Sequence, residues 1–84
     1  MRLLTLARDL TRRKAREREG LFVVEGVRTG EELVRSRLDV VGVLAAPQLA
    51  TSPRGAALLE AFAAKGDLVT HVTDREFQSA AETE

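Results

Sequence analysis

Apolar positions along the chain follow two spacings, and the switches between them mark out the elements. Leu3, Leu6, Ala7 and Leu10 recur at intervals of three and four, the stripe of an amphipathic helix lying on a core. Basic residues take over from Arg12 to Arg18, and Gly20 ends that stretch. Leu21, Phe22, Val23 and Val24 are consecutive, apolar and largely β-branched, bounded by Gly20 and Gly26. Such a run predicts a strand covered on both faces. Val27, Gly30, Leu33, Val34 and Leu38 return to helical spacing. Gly30 weakens that helix by roughly 1 kcal/mol relative to alanine unless close packing requires it.

The second half repeats the alternation. Val40-Val41-Gly42-Val43-Leu44 predicts a second buried strand. Ser52-Pro53 is an N-cap followed by a first-turn proline, and it opens a helix through Leu58, Leu59 and Phe62 that ends at Gly66. Leu68-Val69-Thr70-His71-Val72 predicts a third strand. Thr73-Asp74-Arg75-Glu76 reads as a capping box for a last helix carrying Phe77 and Ala80. Strands separated by helices pair in parallel through crossovers, not as hairpins. The expected fold is therefore α/β: a three-layer α/β/α sandwich around a small, mainly parallel sheet. Three strands make a thin sheet, so the chain is expected either to be cut short or to receive a strand from elsewhere.

Length limits the fold to one domain spanning residues 1–84, with a modest core. There is no cysteine, which removes disulfides and thiolate metal sites. No apolar run approaches the roughly 18 residues of a membrane span, and Met1 leads into charge instead of a signal-peptide core. These features set the expectation of a cytoplasmic protein with no membrane partner. The formal net charge of zero conceals an asymmetry. Residues 1–19 carry seven basic groups (Arg2, Arg8, Arg12, Arg13, Lys14, Arg16, Arg18) against three acidic ones, a local charge of +4. The remainder carries −4. A polyanionic partner thus remains compatible with overall neutrality.

Two stretches are candidates for chemistry. In Arg12-Arg13-Lys14-Ala15-Arg16-Glu17-Arg18, planar guanidinium forks suit bidentate contact with phosphates. The competing reading is a solvated helix end in which Arg13 and Glu17 pair at i,i+4. In Glu25-Gly26-Val27-Arg28, a carboxylate and a glycine stand at the C-terminal end of a predicted strand, the edge where open α/β sheets bind ligands. Glu25 would repel a phosphate. It suits a ribose hydroxyl, a base edge, or the positioning of Arg16 or Arg28, and its bland alternative is to accept N–H bonds at the helix start. His71 stands alone in a strand without a partner in ligand or nucleophile spacing and reads as a structural or surface residue. Phe22, Phe62 and Phe77 all fall on apolar faces and read as core, not as base-stacking residues. No glycine-rich phosphate loop, metal-ligand spacing or nucleophile–base pair is present, which argues against catalysis by this chain.

A leucine-bearing helix, a basic stretch containing Lys14-Ala15-Arg16, then Phe22-Val23-Val24-Glu25-Gly26 and a helix resembles the N-terminal substrate-binding domain of SpoU/TrmH-type RNA 2′-O-ribose methyltransferases of the SPOUT superfamily. The resemblance continues through Val40–Leu44 to Ala81-Glu82-Thr83-Glu84, a stretch that in the family usually leads through Thr-Pro-Gln-Gly into the linker to the catalytic domain. It implies a fold similar to the ribosomal proteins that bind kink-turn RNA, and a role in selecting structured ribosomal or transfer RNA for methylation. It further implies a separate knotted domain that binds S-adenosylmethionine, supplies the catalytic arginine and forms a homodimer. This chain would then hold no cofactor, metal or catalytic residue, and a fourth strand would follow residue 84. Lys14, Arg16, Glu25 and Gly26 match the family pattern. With Arg12, Arg13, Arg18 and Arg28 they make up the expected RNA-binding set. Two other readings stay open: a freestanding RNA binder like a ribosomal protein, and a protein-interaction module without RNA.

Overall fold

A computed structural model describes residues 2–81. The match at Glu82–Glu84 and the strand expected after residue 84 lie outside the described residues. The chain forms α1 (Leu3–Asp9), α2 (Arg13–Glu19), α3 (Val27–Arg35), β1 (Val43–Ala45), α4 (Pro47–Thr51), α5 (Pro53–Ala64), β2 (Val69–His71) and α6 (Asp74–Ala81). Strands β1 and β2 pair in parallel, with Val43 opposite Val69, Leu44 opposite Thr70 and Ala45 opposite His71. The crossover between them runs through α4 and α5. Helix α1 packs on α6, and α3 packs on α5. The α/β class and the parallel sheet follow the expectation from the sequence.

The start and stop signals act as the side-chain chemistry requires. Ser52 Oγ accepts from the Gly55 amide at 3.0 Å, and Pro53 fills the first turn, where its missing N–H costs nothing. Thr73 and Glu76 form the reciprocal box: the Thr73 amide donates to Glu76 Oε1 at 2.9 Å and the Glu76 amide donates to Thr73 Oγ1 at 3.1 Å. The second of these partners is an exposed carboxyl, and the Thr73 backbone bond holds it below its ordinary range. Gly30 is buried because α5 lies directly over it. A Cβ there would stand 3.0 Å from Leu58 Cδ2 and 3.8 Å from Phe62 Cε2. The helix penalty of that glycine is therefore exchanged for close approach of α3 to α5.

The core comprises Leu4, Ala7, Leu10, Ala15, Ala45, Leu58, Leu59, Phe62 and Val72, with Ala45 wholly enclosed. On α1 and its C-cap the deepest positions are Leu4, Ala7 and Leu10, and the half-buried Leu3 and Leu6 line a cleft beside the sheet together with Ala7 and Leu10. Helix α4 was not anticipated, and the strands are shorter than the apolar runs that announced them.

One expected element is absent. Leu21–Val24 forms no strand, and among the described residues the sheet has two strands instead of three. An apolar run marks residues that gain by burial, but a strand also needs a backbone partner. Here Leu21–Val24 and the segment leading into β1 stand on the walls of one cavity of about 430 Å³ without pairing across it. Phe22 accordingly departs from the core role read for it: it is 63% exposed, while Phe62 is buried and Phe77 half-buried.

Candidate functional site

The basic segment is a short helix hung on the end of α1. Three residues, Leu10 to Arg12, separate α1 from α2, and Arg16 ties the two together. Its Nη1 donates to the carbonyls of Leu10 and Thr11, both at 3.0 Å, so one edge of this guanidinium caps backbone at the end of α1. Ala15 is the buried residue of α2, and Gly20 closes the helix in the left-handed conformation at φ 68°.

The other basic side chains divide into two groups. Arg13 pairs with Glu17 at 3.0 Å and Arg18 with Glu19 at 3.1 Å. The Arg13 pair is the one the i,i+4 spacing suggests. Both pairs are largely exposed, so they are weak and leave the guanidinium edges open to an anion. Arg12, Lys14 and Arg18 converge with Asp9 and Ala15 around a hollow where α1 meets α2. Lys14 and Arg18 share one face of the helix, four residues apart. This hollow brings together three of the predicted residues, with Asp9 beside them.

Glu25 and Gly26 lie elsewhere, on the rim of the apolar cleft and immediately before α3. Gly26 is the N-cap of α3 with φ 102°, a backbone state that side-chain-bearing residues rarely adopt. Glu25 is exposed and does not cap the helix, so its bland structural role is not realised. Arg16 is engaged with α1, so Glu25 does not position it. Arg28 is exposed on the first turn of α3. Its charge, with those of Arg54 and Arg35, helps hold Glu31 below the ordinary carboxylate range, the Arg54 hydrogen bond being the main cause.

The site is therefore a two-part surface. One part is the α2 hollow, suited to an anionic backbone. The other is the Glu25–Arg28 corner, where a carboxylate acceptor, an open backbone turn and a guanidinium follow one another. The Gly20–Val24 segment joins them. His71 is exposed at the end of β2, away from this set. Among the described residues no group of histidine, cysteine, aspartate or glutamate is arranged to hold a metal. No described helix is long and apolar enough to cross a membrane. The sequence missed the pair Glu31–Arg54, because 23 positions separate the two residues and only the α3–α5 packing brings them together.

The MRM3-like substrate binding domain family matches residues 5–84, nearly the whole chain. No curated protein and no solved structure matches.

Proposed function

The chain belongs to the MRM3-like substrate binding domain family, and from that premise we propose that it is the RNA-recognition domain of a ribosomal or transfer RNA ribose 2′-O-methyltransferase of the SpoU/TrmH type. It works in the cytoplasm, beside a separate catalytic domain that dimerises. The family match supports the reading, and so does the concentration of positive charge on the first 19 residues. Phosphates of the RNA backbone dock on Arg12, Lys14 and Arg18 around the α2 hollow, with Arg13 and Arg28 flanking them. Glu25 accepts from a ribose hydroxyl or a base edge, contacts that carry selectivity where phosphate contacts do not. Gly26 lets the RNA come close to the backbone. Arg16 belongs to the site as its brace.

The methyl donor, S-adenosylmethionine by family resemblance, belongs to the catalytic domain. Calorimetry with S-adenosylmethionine is expected to show no saturable binding.

The test of the function is binding of ribosomal and transfer RNA to the chain across a range of salt concentrations. The expected result is an affinity that falls linearly on logarithmic axes, with a slope reporting several phosphate contacts. Salt-independent or undetectable binding overturns the reading. It would favour a protein-interaction module, for which the exposed apolar residues Phe22, Leu38 and Val41 offer the surface.

A further inference from the structure

We propose that Arg54 is a further phosphate-binding residue of the RNA surface, held for that task by Glu31, and that it extends the Glu25–Arg28 corner from α3 onto α5. The inference rests on the RNA-binding role proposed above and adds to it a contact outside the expected set.

One face of α3 carries Arg28, Glu31 and Arg35, three and four residues apart. Arg54 reaches the same carboxylate from the second position of α5. Arg28, Arg35 and Arg54 all act on Glu31 and help hold it below its ordinary value. One carboxylate does not neutralise three guanidiniums. Glu32, exposed at the next position of α3, offsets part of the excess and leaves the balance positive. Arg35 turns its Nε back to the Glu31 carbonyl at 3.3 Å. Arg28, one turn before Glu31, already belongs to the corner proposed to meet RNA. An RNA backbone that passes Arg28 along the outer face of α3 therefore meets Arg54.

The geometry of the pair prepares Arg54 for an anion. Its Nε and Nη2 engage Glu31 at 2.9 and 2.6 Å, which uses one edge of the planar fork. The other edge, Nη1 with the second N–H of Nη2, makes no hydrogen bond among the described residues, and the side chain is 64% exposed. The guanidinium can thus bridge the carboxylate and a phosphate at once. An exposed pair of this kind adds little to folding. Its effect is to fix the plane of a long side chain, so less rotamer freedom is lost when a phosphate docks. Glu31 is accordingly a positioning residue, and Arg54 the one that binds.

Two variants test this: Glu31→Gln alone, and Glu31→Gln combined with Arg54→Gln. Both lack the same pair of hydrogen bonds, so a loss transmitted through the fold would appear in both. The combined variant also keeps the net charge of the parent, which separates a direct contact from a general change of field. Binding of a size-selected pool of ribosomal RNA fragments is followed by anisotropy across a range of salt, with circular dichroism beside it. The combined variant is expected to bind more weakly, with a salt slope lower by about 0.7–0.9, one phosphate contact. The slope of Glu31→Gln alone is expected not to fall below the parent's. If the combined variant keeps the affinity and slope of the parent, Arg54 touches no phosphate and the proposal falls, while the RNA-binding role stands. If Glu31→Gln alone lowers the slope as far, the pair acts through the alignment of α3 and α5, and the proposal falls again. If the parent binds no RNA, both readings fail together.

Discussion

Arg54 holds Glu31 across the contact between α3 and α5, with Nε donating to Oε2 at 2.9 Å and Nη2 donating to Oε1 at 2.6 Å. The two-point geometry matches the planar fork of the guanidinium to the carboxylate. It arises beside Gly30, where the missing side chain lets α5 settle onto α3. The pair is solvent-accessible, so it orients the two helices more than it stabilises them. It also leaves Arg28 as the outward-facing cation at the start of α3.

The pair gives the fold a pH signature. Glu31 is held below its ordinary value of 4.5, first by the Arg54 hydrogen bond. A carboxyl depressed in the folded state contributes stability that is fully present above the ordinary value and lost as pH falls through the folded one. Glu31→Gln is therefore expected to melt at a slightly lower temperature than the parent at neutral pH, and at the same temperature in strong acid. Glu76, depressed by its bonds to Thr73, titrates with the same sign in both proteins and cancels in the comparison. Thermal melts of the two proteins across the acid range check this. A difference that grows as pH falls would contradict it.

Gly30 separates two substitutions that look alike. Gly30→Ala adds a methyl 3.0 Å from Leu58 Cδ2, the end of a flexible side chain, and recovers roughly 1 kcal/mol of helix propensity. The two effects are expected nearly to cancel. Gly30→Val adds branches that Leu58 and Phe62 cannot both clear, and is expected to cost about 1–3 kcal/mol. Urea denaturation resolves the pair. Equal stability of the alanine and valine variants would show that α5 does not rest on Gly30 as described.

The caps give a third expectation. Ser52→Ala leaves the Gly55 amide without its acceptor and is expected to lower stability by about 1 kcal/mol. Ser52→Asp keeps an acceptor in place and is expected to restore most of the loss. Denaturation of both variants measures it. Failure of aspartate to recover any stability would argue that the serine acts through packing instead of through its oxygen.

Local physics was legible in the sequence where local physics decides. Ser52-Pro53, the Thr73–Glu76 box and the closing Gly20 each act on a backbone group within a few positions, so spacing is enough to find them. Leu21–Val24 was legible as a buried strand only in its preference. Any partner for it lies far off in the chain, and no periodicity records whether two backbones come within hydrogen-bonding distance. Arg16 shows the same limit at the candidate site. Its position among arginines marks it as a phosphate ligand, while its partners, the carbonyls of Leu10 and Thr11, carry no mark in the sequence. The α2 hollow was half legible: spacing puts Lys14 and Arg18 on one face, but the bend after α1 that brings in Arg12 and Asp9 was not foreseen.

Lys14 and Arg16, two residues apart in one basic run, are expected to fail in different ways. Lys14 is exposed and faces the hollow, where nothing in the fold depends on it. Lys14→Ala should leave the melting temperature unchanged, weaken RNA of every sequence alike, and lower the salt slope by about 0.7–0.9, the loss of one phosphate contact. Arg16 is half-buried and satisfies two carbonyls, so Arg16→Ala strands both of them. It is expected to cost about 1–3 kcal/mol of stability. Its effect on RNA should come from the displaced α2, so the salt slope should fall by more than one contact as Lys14 and Arg18 lose their alignment. Circular dichroism beside the binding measurements keeps the two causes apart. If Arg16→Ala melts like the parent and lowers the slope by a single contact, Arg16 meets the RNA directly and is no brace.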